Sequence, residues 1–327
     1  MGYASPGTNP LELIALAQKA ERLGYDSAWA AEAWGTDAVS VLSWLAATTS
    51  TIKIGSAILQ IPARSAANTA MTAATLDLMS GGRFLLGLGT SGPQVVEGWH
   101  GQPWGNPLAR TREYVQLVRS ALRRETVELH GSEISVPYEG PGATALGKPL
   151  KLMMRPLRAE IPIYLAAIGP RNVELAFEIA DGWLPILFSP ERAGATFGFK
   201  SRDGFEIAPS VAVVLSDDLE EGRDAVRPML ALYVGGMGAR GKNFYNDLIR
   251  RYGYEAEAML IQSLYLEGKQ REAIAAVPDR LVDDVALVGS RERIADRLAA
   301  WRQSGVTTLI IQSYDPAAVE MMAELVL

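Results

Sequence analysis

Residues 52–88 read IKIGSAILQIPARSAANTAMTAATLDLMSGGRFLLGL, and this stretch decides the fold. Ile52 to Ile61 is a nearly continuous apolar run bounded by Thr51 and Pro62, the pattern of a strand buried on both faces. Ala66 to Met79 is an Ala-rich helix, Gly81 and Gly82 break it, and Phe84 to Leu88 is another buried strand. Strand, helix and strand at this spacing make two parallel strands joined by a helical crossover.

The same rhythm extends in both directions. Upstream, Asn9 to Leu23 places Leu11, Leu13, Ile14, Ala17 and Ala20 at helical spacing behind Pro10, with Gly24 as the stop. Tyr25 to Ala31 then reads as a strand and Asp37 to Thr49 as a helix. Downstream, strands are expected at Ile161 to Ala167, Trp183 to Phe188, Glu206 to Leu215, Val285 to Val288 and Val306 to Ile311. Helices are expected at Arg171 to Ala180, from Asp217-Asp218 toward Leu232 with a bend near Pro228, and at Arg291 to Trp301. Glu125 to Met154, rich in Gly and Pro, and Gly235 to Arg280, mostly helical, interrupt the alternation. Even spacing without a linker predicts an α/β fold: one (β/α)8 TIM barrel over residues 1–327, carrying a helical insertion at 235–280. That insertion, with Tyr245, Tyr252, Tyr254, Met259 and Tyr265, is expected either over the barrel mouth or at a dimer contact.

Composition removes whole classes of chemistry. The 327 residues include no Cys, which excludes disulfides, thiolate nucleophiles, Cys-ligated zinc and Fe–S clusters. His100 and His130 are the only imidazoles, and no GxSxG surrounds a serine, so no metal site and no Ser-His-Asp triad is expected. A net charge of −6 with dispersed basic residues argues against a nucleic-acid partner. No apolar run approaches the ~18 residues of a membrane span. Met1 to Gly7 has neither a basic nor an apolar leader region, so a cytoplasmic protein is expected.

In a parallel barrel the reactive face lies at the C-terminal ends of the strands. Four segments qualify: Glu32, Trp34 and Asp37; Gln60, Ile61, Pro62 and Arg64; Gly89 to Pro93 followed by Glu97, Trp99 and His100; and Ile168 to Asn172, which opens directly into a helix. A Gly at such a turn lets backbone N–H groups approach an anion, helped by the helix dipole, although an ordinary βα turn has the same shape. Gly87 to Gly92 spells GxGxxG but lacks the downstream acid of a dinucleotide fold, so it reads as a Gly-rich loop against which a flat ring can lie. Glu32, Glu97 and His100 are the candidate proton-handling groups, with helix capping and loop hydrogen bonding as their structural alternatives.

Leu76 to Gly89, LDLMSGGRFLLGLG, resembles the helix-to-strand hinge of the bacterial luciferase-like superfamily. Within that superfamily, Gly89 to Gly101, Ile163 to Pro185 and Ala286 to Ile311 resemble the deazaflavin-dependent branch related to methylenetetrahydromethanopterin reductase. The resemblance implies an oxidoreductase that uses coenzyme F420 as a hydride carrier for a small organic substrate. A homodimer is expected as well. The resemblance also implies a non-prolyl cis peptide at Ala57-Ile58, forming a bulge behind the ring. Gly89, Thr90, Ser91 and Gly92 match the loop at the ring edge, and Ala167, Ile168, Gly169 and Pro170 match the phosphate-binding turn. An FMN-dependent monooxygenase and a cofactor-binding relative without turnover remain the alternatives. Where sugar-phosphate dehydrogenase relatives carry an Asp-His pair after the second strand, this chain has Glu32-Ala33. The chain also starts at Met1-Gly2-Tyr3 without most of the first barrel strand, so the expectation is either that this strand is lost or that the start site is misplaced.

Overall fold

The computed structural model describes residues 9–198 and 202–327, and the expectation for the first strand at Met1 to Tyr3 lies outside them. The chain forms two compact units: one comprises the residues up to Ala166 with Glu178–Asp181, the other Ala167–Phe177 with the chain from Gly182 onward.

The first unit contains α1 (Pro10–Arg22), β1 (Ser27–Ala30), α2 (Ala38–Thr48), β2 (Lys53–Ser56), β3 (Leu59–Gln60), α3 (Ala66–Met79), β4 (Phe84–Gly89), α4 (Pro93–Gly98), α5 (Pro107–Leu122), the short β5 (Leu129–His130) and β6 (Ser135–Val136), and β7 (Ile163–Leu165). Each of the first three long helices starts on a side-chain cap, with Asn9, Asp37 and Ser65 accepting from first-turn N–H groups. The sheet runs β1-β2-β4-β7, entirely parallel, and β3 pairs with β4 beside β2. Its strands bury Ile54, Leu59, Phe84, Leu86, Leu88 and Ile163 completely, as the unbroken apolar runs require. Among the described strands β5 and β6 alone pair antiparallel, and Val127 and Leu150 form a single antiparallel bridge beside them.

The run 52–61 is two strands rather than one. Ile54 lies opposite Phe84 and Leu59 opposite Leu88, so this side takes five steps where β4 takes four. The extra residue is a bulge, and it falls at Ala57-Ile58, whose peptide bond is cis. The buried Ser56 hydroxyl donates to Gly87 O at 2.8 Å and accepts from Gly87 N–H at 2.9 Å, replacing ladder bonds at the break.

Arg83, from the hinge stretch, binds three segments of the chain together. Its guanidinium donates to Ser80 O (2.6 Å), Ile52 O (2.5 Å), Thr49 O (2.9 Å) and Thr49 Oγ1 (3.0 Å). It thereby ties the C-terminal ends of α2 and α3 to the start of β2. Asp77, wholly buried near the end of α3, is met by Arg158, which also donates to Phe84 O at 2.7 Å.

The second unit holds α6 (Pro170–Ile179), whose last two residues belong to the first, then β8 (Gly182–Trp183), α7 (Ala193–Phe197), β9 (Glu206–Ile207), β10 (Ser210–Leu215) and α8 (Leu219–Ala231). After a π-helical turn, Leu232–Gly236, come α9 (Phe244–Arg251), α10 (Glu255–Leu266), α11 (Gln270–Ala275), α12 (Asp279–Val285), β11 (Ala286–Gly289), α13 (Arg291–Gln303), β12 (Ile310–Gln312) and α14 (Pro316–Val326). The expected strand Glu206 to Leu215 divides at Ala208-Pro209, because Pro209 has no N–H for a ladder. β9 pairs with β8, whereas β10 lies between β11 and β12 in a separate parallel sheet. The last strand begins at Ile310 rather than Val306. α8 continues through Pro228 as α-helix and changes character only at the π turn. Residues 235–280 form no detachable flap: Leu248, Ile249, Tyr252, Ala258, Ile261, Ala273 and Val277 share one buried cluster with Val226 and Leu230 of α8.

Candidate active site

Most of the sequence candidates of the first unit stand at the ends of its strands. β1 ends at Ala30, and Glu32 follows with only 8% of its surface exposed. β3 ends at Gln60, and a single 3-10 turn, Ile61–Ala63, delivers Arg64. The two side chains meet in a fork: Arg64 Nη1 donates to Glu32 Oε2 at 2.6 Å and Nη2 to Oε1 at 2.7 Å. Nη2 also donates to Asp37 Oδ1 at 3.0 Å, while Asp37 caps α2 through Ser40. Burial would raise the Asp37 carboxyl, but Ser40 and Arg64 hold it below the usual carboxylate range. The Arg64 backbone is pinned from α5, where Tyr114 donates its phenol to Arg64 O at 3.0 Å.

Gln60 connects this pair to the imidazole. Its backbone N–H donates to Glu32 Oε2 at 3.2 Å, and its side-chain Nε2 donates to Ala33 O at 3.1 Å. Its Oε1 lies 3.3 Å from His100 Nε2. His100 follows the short α4 and is fixed by its own N–H, which donates to Val95 O at 3.0 Å. Partial burial pulls the His100 pKa below its ordinary value; Arg64 adds to the effect and Glu32 opposes it. Glu97, on α4, is exposed and has no ion-pair partner among the described residues. Glu32 and His100 are therefore brought into one network, and Glu97 stands outside it. Sequence placed Gln60 and Arg64 after their strand without giving either a partner. It missed Tyr114 altogether, although Asn106-Pro107 is a legible helix start.

The bulge and the Gly-rich loop adjoin. A Cβ on Gly89 would lie 2.9 Å from Ile58 Cδ1, so the bulge side chain occupies the space that glycine leaves. Thr90 follows, then Ser91 with φ of 59° and Gly92, which precedes α4. Gly89 is buried, whereas Ala57, Ile58, Thr90, Ser91 and Gly92 are partly exposed. The arrangement presents backbone and an aliphatic side chain, suited to the edge of a flat ring.

In the second unit, Ala167 is buried and its carbonyl accepts from Trp183 Nε1 at 2.9 Å. Gly169 O accepts from Asn172 N–H and Val173 N–H at 3.0 Å each, opening α6 behind Pro170. The N–H groups of Ile168, Gly169 and Arg171 have no backbone partner among the described residues. No atom lies within 4 Å of a Cβ built on Gly169. Free N–H groups at the positive end of a helix, beside an open glycine and the exposed Arg171, fit a phosphate.

No helix among the described residues is long and apolar enough to cross a membrane, and no three of their His, Asp or Glu side chains gather as metal ligands.

A family model described as luciferase-like monooxygenase matches residues 2–308. The chain is 44% identical, over its whole length and 97% of the relative, to a Mycobacterium tuberculosis protein provisionally named a coenzyme F420-dependent oxidoreductase. It is 28% identical to 5,10-methylenetetrahydromethanopterin reductase of Archaeoglobus fulgidus, over 94% of this chain and 91% of the relative. The solved coenzyme F420-dependent tetrahydromethanopterin reductase of Methanopyrus kandleri matches with a TM-score of 0.78 at 23% identity, covering 100% of this chain and 97% of that one. The fold is accordingly α/β of the luciferase-like TIM-barrel type.

Proposed function

Because the chain belongs to the luciferase-like monooxygenase family, we propose that it is a coenzyme F420-dependent oxidoreductase exchanging hydride with a small organic substrate. The observation that carries this reading is 44% identity along the entire chain to a protein named for that activity. The bound coenzyme supplies the two-electron chemistry, and the protein supplies position and proton handling. Ala57, Ile58, Gly89, Thr90, Ser91 and Gly92 are the proposed ring contacts, and Ala167, Ile168, Gly169 and Pro170 the proposed phosphate contacts. Among Glu32, Glu97 and His100 we assign the proton to His100, because Glu32 is held by Arg64 and Glu97 is outside the network. The family match over residues 2–308 supports reading 1–327 as a single domain, with 235–280 as its helical insertion. A cytoplasmic homodimer completes the reading, and light scattering of the purified protein tests the dimer.

Titration of the protein with coenzyme F420 and, separately, with FMN tests the cofactor through ligand fluorescence. Saturable quenching of F420 is expected. Tight FMN binding without a response to F420 would replace the reading with a flavin monooxygenase, and silence with both would leave a relative without turnover.

A further inference from the structure

We propose that Gln60 is a positioning residue that fixes the His100 ring as its Nε2–H tautomer, leaving Nδ1 as the proton acceptor for the reaction proposed above. The inference rests on that proposed function for the use of the proton, and on hydrogen-bond geometry alone for the tautomer.

Which end of the Gln60 amide faces which neighbour follows from its surroundings. Ala33 O can only accept, so the amide group 3.1 Å from it is the NH2. Reversing the amide would set two oxygens against each other there. The Gln60 backbone is held by Glu32, which Arg64 holds in turn, so the side chain starts from a fixed base. Its Oε1, which only accepts, is therefore the atom 3.3 Å from His100 Nε2. Nε2 must carry the hydrogen. In neutral His100 the lone pair is then on Nδ1, which has no hydrogen-bond partner among the described residues.

The charged groups around the ring are Glu32 and Arg64, with Asp37 beyond them on Arg64 and Glu97 on α4 before it. Burial and Arg64 together outweigh Glu32 and hold the imidazole below its ordinary pKa, which favours the neutral ring that an acceptor requires. With the coenzyme bound, oxidation would break the substrate C–H bond and the carrier would take up its electron pair as hydride. The adjacent O–H or N–H bond gives its proton to Nδ1, and a C=O or C=N bond forms. The reverse direction returns both. This selects substrates whose reacting carbon bears a hydroxyl or amino group, or the corresponding carbonyl or imine.

The chain has two histidines, which makes the tautomer directly readable. With 15N-histidine labelling and His130→Gln, an exposed position near Glu128, only the His100 ring is observed. At pH 8 without cofactor, Nε2 is expected at the shift of a protonated nitrogen and Nδ1 at that of a lone-pair nitrogen. The opposite pattern overturns the assignment whatever the cofactor proves to be. In Gln60→Glu the acceptor becomes a carboxylate: the His100 midpoint should rise by about one pH unit or more, and the acid limb of kcat/KM for oxidation should move with it. Gln60→Met should bring the two nitrogen shifts toward averaging and lower kcat about 10–100-fold, with the F420 dissociation constant unchanged. An unmoved midpoint and pH profile in Gln60→Glu would refute the positioning role even if turnover fell.

Discussion

Replacing Arg83 by Ala should destabilise the native state by about 3–6 kcal/mol while leaving the proposed cofactor contacts untouched. The magnitude comes from the four hydrogen bonds of 3.0 Å or less that its guanidinium makes, to Ser80 O, Ile52 O, Thr49 O and Thr49 Oγ1. Bonds from a charged donor contribute ~1.5–3 kcal/mol each. The Arg83 side chain is half-buried, so water reaches some of the abandoned carbonyls and returns roughly half of the total. The remainder is a large share of the ~5–15 kcal/mol that separates native from unfolded states. Arg83→Lys should recover less than half of the loss, because an ammonium cannot reproduce a fork that reaches two helix ends and a strand. Urea unfolding followed by far-ultraviolet circular dichroism measures both variants. An Ala variant within about 1 kcal/mol of the parent, or a Lys variant equal to it, would refute the clamp. So would a folded Arg83→Lys protein that has lost F420 affinity, since no Arg83 atom reaches the bulge or the Gly-rich loop in the bonds described.

Three further outcomes follow from the first unit. Arg64→Met strips the buried Glu32 of its fork and should cost about 3–5 kcal/mol, the range for a buried pair that loses one partner; a urea midpoint equal to the parent's would show that Glu32 does not depend on Arg64. Gly55→Ala would set a Cβ 2.4–2.8 Å from the Trp29 ring, itself packed edge-on against Tyr164, and should cost about 1–3 kcal/mol with a visible change in Trp fluorescence; an unaltered spectrum and stability would mean the ring yields freely. Burial would raise the Glu21 carboxyl, but the N–H groups of Ser50, Thr51 and Ile52 hold it down to about 2 from its ordinary 4.5. The native state therefore binds this proton less readily than the unfolded chain, and the stabilisation is complete above pH 4.5 and fades toward pH 2. Glu21→Gln should lose about 1–2 kcal/mol at pH 7, after allowance for solvent screening, and noticeably less at pH 3; a gap of the same size at both pH values would contradict the linkage.

What sequence could show depended on the range over which each signal acts. Caps, glycine stops and buried runs operate within a few residues, so α1, α2, α3 and β4 begin and end close to where Asn9, Gly24, Asp37, the Ala-rich run from Ala66 and the Gly81-Gly82 break predict. The split of 52–61 was not visible in its apolar pattern, because a bulge changes register against β4 without changing hydrophobicity. The same limit governs the site. Glu32, Gln60, Arg64 and His100 were each legible as residues following a strand, since a parallel α/β sheet exposes that end. Their pairing across 28 to 40 positions depended on strand register and on where one 3-10 turn and a six-residue helix happened to aim. Composition then adds a constraint that geometry alone would not. With no cysteine and two histidines, one of them exposed beside Glu128, His100 is the sole imidazole in this network. Its Nε2 faces an oxygen that cannot donate, so the residue's chemistry is decided by Gln60, a neutral side chain that no motif would single out.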